Sequence, residues 1–141
     1  MARERSPEFL TAVGIGVSDL ARSRAFYEGV LGMKYVREFK LPNMNEVVLD
    51  HEGRSAVLRM HYTDGVARNF RDNWVKLVFY VADPAALAAK VRAAGCEVTH
   101  QPTANANMQG SMLCMAKDPD GYTIELIQRP ARVSQTQEAV G

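Results

Sequence analysis

The sequence predicts an α+β fold in which two βαβββ modules form a cup-shaped mixed sheet. Three observations lead to this prediction: apolar residues alternate along short segments, one segment in each half has helical periodicity, and the same order of segments occurs twice. Val17-x-Asp19 recurs as Val81-x-Asp83, an offset of 64 residues. Because one such module covers only one face of its sheet, we expect the two modules to pack together.

The first module opens with an alternating strand at residues 9–17. A helix at 18–32 follows, with Ser18 or Asp19 as its N-cap and Gly32 at its C-terminal end. Three further strands are predicted from their alternation, at 33–41, 45–50 and 55–62.

The second module repeats this order, with a strand at 73–81. Its helix begins at an N-cap, Asp83, followed by Pro84, and ends at Gly95. The Asn-rich stretch PTANANMQG is predicted to be a loop between the last strands, which lie at 96–101, 110–118 and 122–128. The predicted organisation is a first module at 1–62, a linker at 63–73, a second module at 74–129 and a flexible tail at 130–141.

Composition excludes several classes of protein. Lys and Arg number 17 against 16 Asp and Glu among 141 residues, so the chain lacks the basic stripe that binds nucleic acid. No window approaches the roughly 20 apolar residues of a membrane span. Cys96 and Cys114 are too few for a disulfide framework or a thiolate metal site. We therefore expect a cytoplasmic protein with neither nucleic acid nor membrane as its partner.

Two segments carry a family resemblance. VGIGVSDLARSRAFYEGVLGM, at 13–33, resembles the opening strand and helix of the vicinal oxygen chelate superfamily, which includes glyoxalase I, bleomycin resistance proteins and extradiol dioxygenases. KDPDGYTIELIQ, at 117–128, is similar to the closing strand of that superfamily. The resemblance spans about residues 9–129 and implies the glyoxalase-like fold. It does not select an activity, because this fold serves lyases, isomerases, dioxygenases and ligand-binding proteins.

The resemblance implies four metal-ligand positions, which fall at Ala12, Arg59, Lys76 and Glu125. The internal offset of 64 residues relates Ala12 to Lys76 independently. Ala12 has no ligand atom, and the cationic Lys76 and Arg59 would repel a dication. Only Glu125 matches, so the expectation is a site with no metal and no cofactor.

Arg59, Lys76 and Glu125 are predicted to converge on the concave face. In one hypothesis they form an ion-paired plug that holds the modules in register. In the other, two cations and one carboxylate leave about one positive charge for an anionic or oxygen-rich ligand. A slip of two residues would bring Val57 or His61 to the position of Arg59, on the same face.

Further candidates surround this cluster. The catalytic candidates, which can move protons beside a carbonyl group, are His61, Glu125 and Tyr80. The ligand-binding candidates are Arg59, Lys76, Trp74, Met112 and Asn107. The alternative roles are a hydrogen-bonded strand residue for His61, an aromatic wall for Tyr80, core packing for Trp74 and Met112, and a surface loop around Asn107.

Three functional hypotheses remain open. The chain binds a small organic ligand in a metal-free cup, or it is a metal-independent lyase, isomerase or cyclase acting next to a carbonyl. In the third hypothesis it is a metal-dependent glyoxalase or ring-cleavage dioxygenase with a rearranged set of ligands. The resemblance also implies a homodimer, in which the cup forms within one chain or across two.

Overall fold

The structure, a computed structural model, describes residues 8–130. These residues divide into two compact units with their boundary between Phe70 and Arg71. Each unit contains a strand, a helix and three further strands, which confirms the predicted α+β class and the duplicated βαβββ order. The predicted flexible tail, apart from Pro130, lies outside the described residues. No helix within 8–130 is long and apolar enough to cross a membrane.

The first unit is a four-stranded sheet with the order β1-β4-β3-β2. Its elements are β1 (Ala12–Gly16), α1 (Leu20–Gly29), β2 (Lys34–Leu41), β3 (Met44–His51) and β4 (Arg54–Tyr62). β1 and β4 are parallel, and the other neighbours are antiparallel. Asp19 caps α1 by accepting a hydrogen bond from the backbone N–H of Arg22 at 3.0 Å.

The second unit repeats this topology with the order β5-β8-β7-β6. Its elements are β5 (Lys76–Val81), α2 (Pro84–Ala93), β6 (Val98–Asn105), a 3-10 turn (Ala106–Met108), β7 (Ser111–Lys117) and β8 (Thr123–Gln128). Asp83 caps α2 by accepting from the backbone N–H of Ala86 at 3.1 Å, and Pro84 opens the helix as predicted. The N-cap aspartates of both helices confirm the duplication signal.

One prediction about this unit is wrong. The first part of PTANANMQG is not a loop, because β6 continues to Asn105. Thr103, Ala104 and Asn105 pair with Leu113, Met112 and Ser111 of β7. The small and polar composition suggested a loop, but pairing with an apolar neighbouring strand overrides that weak local preference.

Each sheet has a helix-covered face and an opposite face, which we call the open face. In the second unit the helix-covered face is fully buried and consists of Cys114, Ala116, Ile124 and Leu126. In the first unit it carries Ile15, Val17, Val47 and Leu49, packed with Phe26 and Tyr27 of α1. The apolar cores therefore lie between each helix and its own sheet, which leaves the open faces to carry other functions.

Candidate functional site

Glu125 lies at the middle of β8 on the open face of the second unit. It pairs with Val78 of β5 on one side and with Met115 of β7 on the other. Its Oε1 atom is 3.3 Å from the Lys76 Nζ atom. The side chain of Lys76 is 50% exposed and that of Glu125 is 18% exposed, so the pair sits at the rim of a partly shielded site.

A cavity of about 450 Å³ opens on this face beside Glu125. Its apolar and aromatic walls are formed by Val78, Tyr80, Met108, Leu113 and Ile127. Its polar lining consists of Asn105, Asn107 and Glu125. The volume and the mixture of apolar walls with a few polar groups are typical of small-molecule sites.

The 3-10 turn after β6 forms one edge of the cavity. The side-chain oxygen of Asn105 accepts a hydrogen bond from the Asn107 N–H at 2.8 Å. The backbone oxygen of Asn105 accepts a second bond, from the Gly110 N–H at 2.9 Å. These bonds fix a turn that presents Asn107 and Met108 to the cavity. The predicted amide contact from Asn107 is thus available at this site.

Tyr80 extends the aromatic wall outward. Its side chain is on the open face and the residue is 59% exposed. The guanidinium carbon of Arg129 lies 4.9 Å from the centre of its ring, within cation–π distance. Arg129 was not among the sequence candidates, although its position just after the closing strand was a signal that it would lie near Tyr80.

Arg59 does not lie on the open face of its sheet. It is fully buried, and its guanidinium carbon lies 3.5 Å from the centre of the Tyr27 ring of α1. Its Nη2 atom is 3.9 Å from the Met33 sulfur. We expected Arg59, Lys76 and Glu125 to lie on the open faces of their sheets. This expectation is wrong for Arg59, which lies on the helix-covered face.

The strand register explains this error. Gly14 pairs with Leu58 in the first unit, as Val78 pairs with Glu125 in the second. Leu58, and not Arg59, is therefore equivalent to Glu125. The β3–β4 hairpin contains a register shift between Leu49 and His51, which the sequence did not predict. A shift of one residue moves every side chain of a strand to the other face.

The remaining candidates are distributed around the molecule. His61 is two residues after Arg59 on β4 and therefore lies on the same face of the strand. Its Nδ1 atom lies 3.3 Å from the Val17 carbonyl oxygen. Trp74 is fully exposed, just before β5, and does not line the cavity. Met112 directly precedes the cavity residue Leu113 on β7, so its side chain points to the opposite face of the sheet and does not line the cavity. The cavity thus brings together three predicted residues, namely Glu125, Tyr80 and Asn107, with Lys76 paired to the first.

The predicted site residues did not include five residues of the lining, namely Val78, Asn105, Met108, Leu113 and Ile127. Ile127 is two residues after Glu125 on the same strand, and Leu113 is its direct partner on β7. Alternation along β8 was a sufficient signal for Ile127. Leu113 required the pairing of β7 with β8, which follows from the register of the hairpin.

The four positions that the resemblance implies do not fit a metal ion. Ala12 has no ligand atom in its side chain, and neither does Leu58, which the register places where the resemblance implied Arg59. An ammonium group already lies 3.3 Å from the carboxylate of Glu125. Across residues 8–130, no three His, Cys, Asp or Glu residues are grouped so that they could hold an ion. A dication beside the Lys76 ammonium would meet direct electrostatic repulsion.

Comparison with known proteins identifies relatives along most of the chain. A family model described as Glyoxalase/Bleomycin resistance protein/Dioxygenase superfamily matches residues 10–126. Lactoylglutathione lyase of Salmonella typhimurium is 36% identical over 118 residues, covering 79% of this chain and 86% of that protein. Lactoylglutathione lyase GLX1 of Arabidopsis thaliana is 34% identical over 118 residues, and the match spans 80% of this chain but only 41% of that longer protein.

The fold has solved counterparts as well. Glyoxalase I of Leishmania major superposes with a TM-score of 0.75 at 22% identity, covering 94% of this chain and 92% of that one. At this identity the likeness concerns the fold. It agrees with the two duplicated units described above.

Proposed function

Because this chain belongs to the Glyoxalase/Bleomycin resistance protein/Dioxygenase superfamily, we propose that its second unit binds a small anionic or oxygen-rich organic ligand without a metal ion. The observation that carries the proposal is the cavity beside Glu125, whose carboxylate is paired with an ammonium group. In this arrangement Lys76 supplies the positive charge for a ligand oxygen.

The lining supports a ligand with an apolar body and polar oxygens. Val78, Leu113 and Ile127 offer apolar contact, and the Tyr80 ring offers a flat surface for stacking. The Asn107 amide can donate to a carbonyl or hydroxyl oxygen.

The charges around the cavity favour an anion. Lys76 carries a positive charge 3.3 Å from Glu125, and Arg129 carries a second one beside the cavity residue Tyr80. Since Arg59 is buried on the helix-covered face of its own sheet, our proposal assigns to Arg129 the second positive charge that was expected from Arg59. An anionic ligand oxygen can form a charge-assisted hydrogen bond with Lys76, which remains half exposed.

A metal-independent lyase, isomerase or cyclase is the second candidate. It is favoured by a carboxylate inside the cavity and by relatives that are named lactoylglutathione lyases. Glu125 would take a proton from the carbon next to a ligand carbonyl. The electron pair left on that carbon would move to the carbonyl oxygen, where Lys76 would stabilise the enolate and the Tyr80 phenol could donate a proton.

Two further properties belong to this proposal. The cytoplasmic location expected from the small number of cysteines, Cys96 and Cys114, is one of them. The homodimer implied by the family resemblance remains part of the proposal.

Metal analysis combined with a ligand screen tests the proposal. The purified full chain is analysed for bound metal and screened by thermal shift against carboxylates, aromatic acids and keto acids, with EDTA or with added Zn²⁺ or Ni²⁺. We expect substoichiometric metal, and a hit that raises Tm equally in EDTA and in added metal. One tightly held ion per chain, or a hit that is lost in EDTA, would contradict metal-free binding. A hit that is also converted to product would favour the enzyme.

A further inference from the structure

The outer strand of the first sheet presents an exposed edge. β2 is terminal in the order β1-β4-β3-β2, and within residues 8–130 it pairs with β3 alone. All eight of its residues are exposed, including Phe39 at 41% and Leu41 at 48%. Every second residue of such a strand points its N–H and C=O groups away from the sheet, where another strand can bind them.

The edge of the second sheet differs from β2. β6 contains Pro102, which has no N–H to donate, and two register shifts interrupt its pairing with β7. Proline and irregular pairing are features that prevent an edge strand from accepting another strand. β2 has one register shift, between Tyr35 and Arg37, so that residues 37–41 pair regularly with β3. The first sheet therefore keeps a regularly paired segment at its edge.

We propose that β2 pairs antiparallel with β2 of a second copy of this chain, with Phe39 on the two-fold axis. A two-fold axis perpendicular to the sheet keeps each face on its own side, as antiparallel pairing requires. Phe39 then lies opposite Phe39 of the other copy, and Glu38 lies opposite Lys40. Arg37 lies opposite Leu41. The four-stranded sheets of the first unit in the two copies then form one continuous sheet.

Within the regularly paired segment 37–41, the charge pattern of β2 favours this register over its neighbours. A two-fold axis at Arg37, Glu38 or Lys40 would place that residue directly opposite its own copy, with like charges in contact. An axis at Phe39 instead forms two Glu38–Lys40 ion pairs on one face and an aromatic pair on the other. Opposite charges and aromatic rings that lie directly opposite each other stabilise antiparallel pairs, and like charges destabilise them.

Charge reversal tests the interface on the full chain. We expect the unchanged protein to be a dimer by sedimentation velocity. Glu38→Lys and Lys40→Glu should each raise the dissociation constant about tenfold, because each places like charges opposite one another twice. An equimolar mixture of the two variants should form heterodimers, detected by native mass spectrometry, since their altered edges are complementary. The double variant E38K/K40E should dimerise as the unchanged protein does.

A cysteine placed on the axis tests the register. Directly opposed residues of an antiparallel pair have Cα atoms about 4.5–5.5 Å apart, which a disulfide can bridge. In a Cys96→Ser background, Phe39→Cys should therefore cross-link two copies on mild oxidation. Leu41→Cys is the matched control and should not cross-link, because its partner is Arg37.

Several outcomes would overturn the proposal. They are a monomeric unchanged protein, single reversals that dimerise as tightly as the unchanged protein, and a mixture that gives no heterodimer. Cross-linking through position 41 but not through position 39 would overturn the register. Far-UV circular dichroism of each variant separates loss of pairing from loss of folding, and these exposed positions should leave the spectrum unchanged.

Discussion

At the scale of single residues, Lys76 is the cation paired with the cavity residue Glu125 in the second unit. Its ammonium group lies 3.3 Å from Glu125 while half of its side chain stays in contact with solvent. An exposed ion pair of this kind contributes only about 0.2–1 kcal/mol to stability, so a ligand anion can draw the ammonium away at small cost.

Lys76→Met should lower the affinity for an anionic ligand about tenfold, since it removes a charge-assisted hydrogen bond. The measurement is isothermal titration calorimetry with a hit from the screen. Lys90→Met is the matched control, because Lys90 is exposed on α2, which covers the other face of this sheet. Equal losses in the two variants would mean that general surface charge, and not Lys76, attracts the ligand.

Glu125→Gln keeps the shape of the side chain but removes its charge. If Glu125 only positions Lys76, we expect a modest change in ligand affinity, about fivefold or less. If Glu125 is the base, turnover should be abolished while binding persists. Turnover that is unchanged in this variant would reject the catalytic role of Glu125.

Arg59 should contribute to stability and not to binding, because it is buried against Tyr27 on the helix-covered face. We expect Arg59→Ala to lower the free energy of unfolding by about 3 kcal/mol and Arg59→Met, which retains the volume, to lower it by less. Urea unfolding measures this effect. A loss of ligand affinity in the folded Arg59→Met variant would contradict the assignment.

The location of a residue was predictable where the alternation of a single strand determines which face of the sheet its side chain occupies. Glu125 and Lys76 come from adjacent parallel strands whose alternation is clear, so their pairing could be expected. Arg59 could not be placed, because its direction depends on the length of the β3–β4 hairpin. That hairpin contains a register shift between Leu49 and His51, which local sequence preferences do not determine.

At the scale of elements, each helix protects the sheet of its own unit. Cys114 of β7 lies under α2, and its sulfur is 3.7 Å from the Pro84 carbonyl oxygen. Burial raises the pKa of the Cys114 thiol above its usual range. Because the folded state holds this proton more tightly, the resulting stability is complete below the usual pKa of about 8.5 and declines as pH rises above it.

The N-cap of α2 should control the reactivity of this thiol. Asp83→Ala removes a hydrogen bond to the Ala86 N–H and should cost about 1 kcal/mol, so Cys114 alkylation in a Cys96→Ser background should become about fivefold faster. Asp19→Ala is the matched control, since it removes the equivalent cap from α1 in the other unit. Equal acceleration by both substitutions would indicate that the thiol is exposed by unfolding of the whole chain.

Most elements were predictable from the sequence, and the exceptions have a physical reason. Alternation and capping residues located β1, β5, β8 and both helices, because these features act within a few residues. The second half of β6 was missed, since Thr103, Ala104 and Asn105 form a strand only through pairing with β7. Long-range pairing therefore limits what local composition can predict.

At the scale of the whole molecule, the duplicated units have different open faces. In the first unit, a Cβ atom at Gly14 would lie 3.1 Å from the Met60 sulfur, and one at Gly16 would lie 2.5 Å from a Phe70 ring carbon. These side chains occupy the space that the two glycines leave. In the second unit the corresponding positions are Val78 and Tyr80, which line the open cavity.

We expect one ligand per chain from this difference. Calorimetric titration should give a stoichiometry of one, because the first unit has filled the equivalent space with its own side chains. Saturating ligand at about 100 times Kd should stabilise the protein by about 2.7 kcal/mol. A stoichiometry of two would show that Phe70 and Met60 yield to a ligand, and the prediction would then be wrong.

The ring of Phe70 over Gly16 has a consequence for evolution within this chain. Gly16 and Tyr80 occupy equivalent strand positions, so an alignment of the first unit with the second shows a mismatch there. In space, however, both positions carry an aromatic ring, one from Tyr80 itself and the other from a distant segment that needs a glycine to make room. Selection on the ring would therefore make positions 16 and 70 change together, with an aromatic residue gained at one as it is lost from the other.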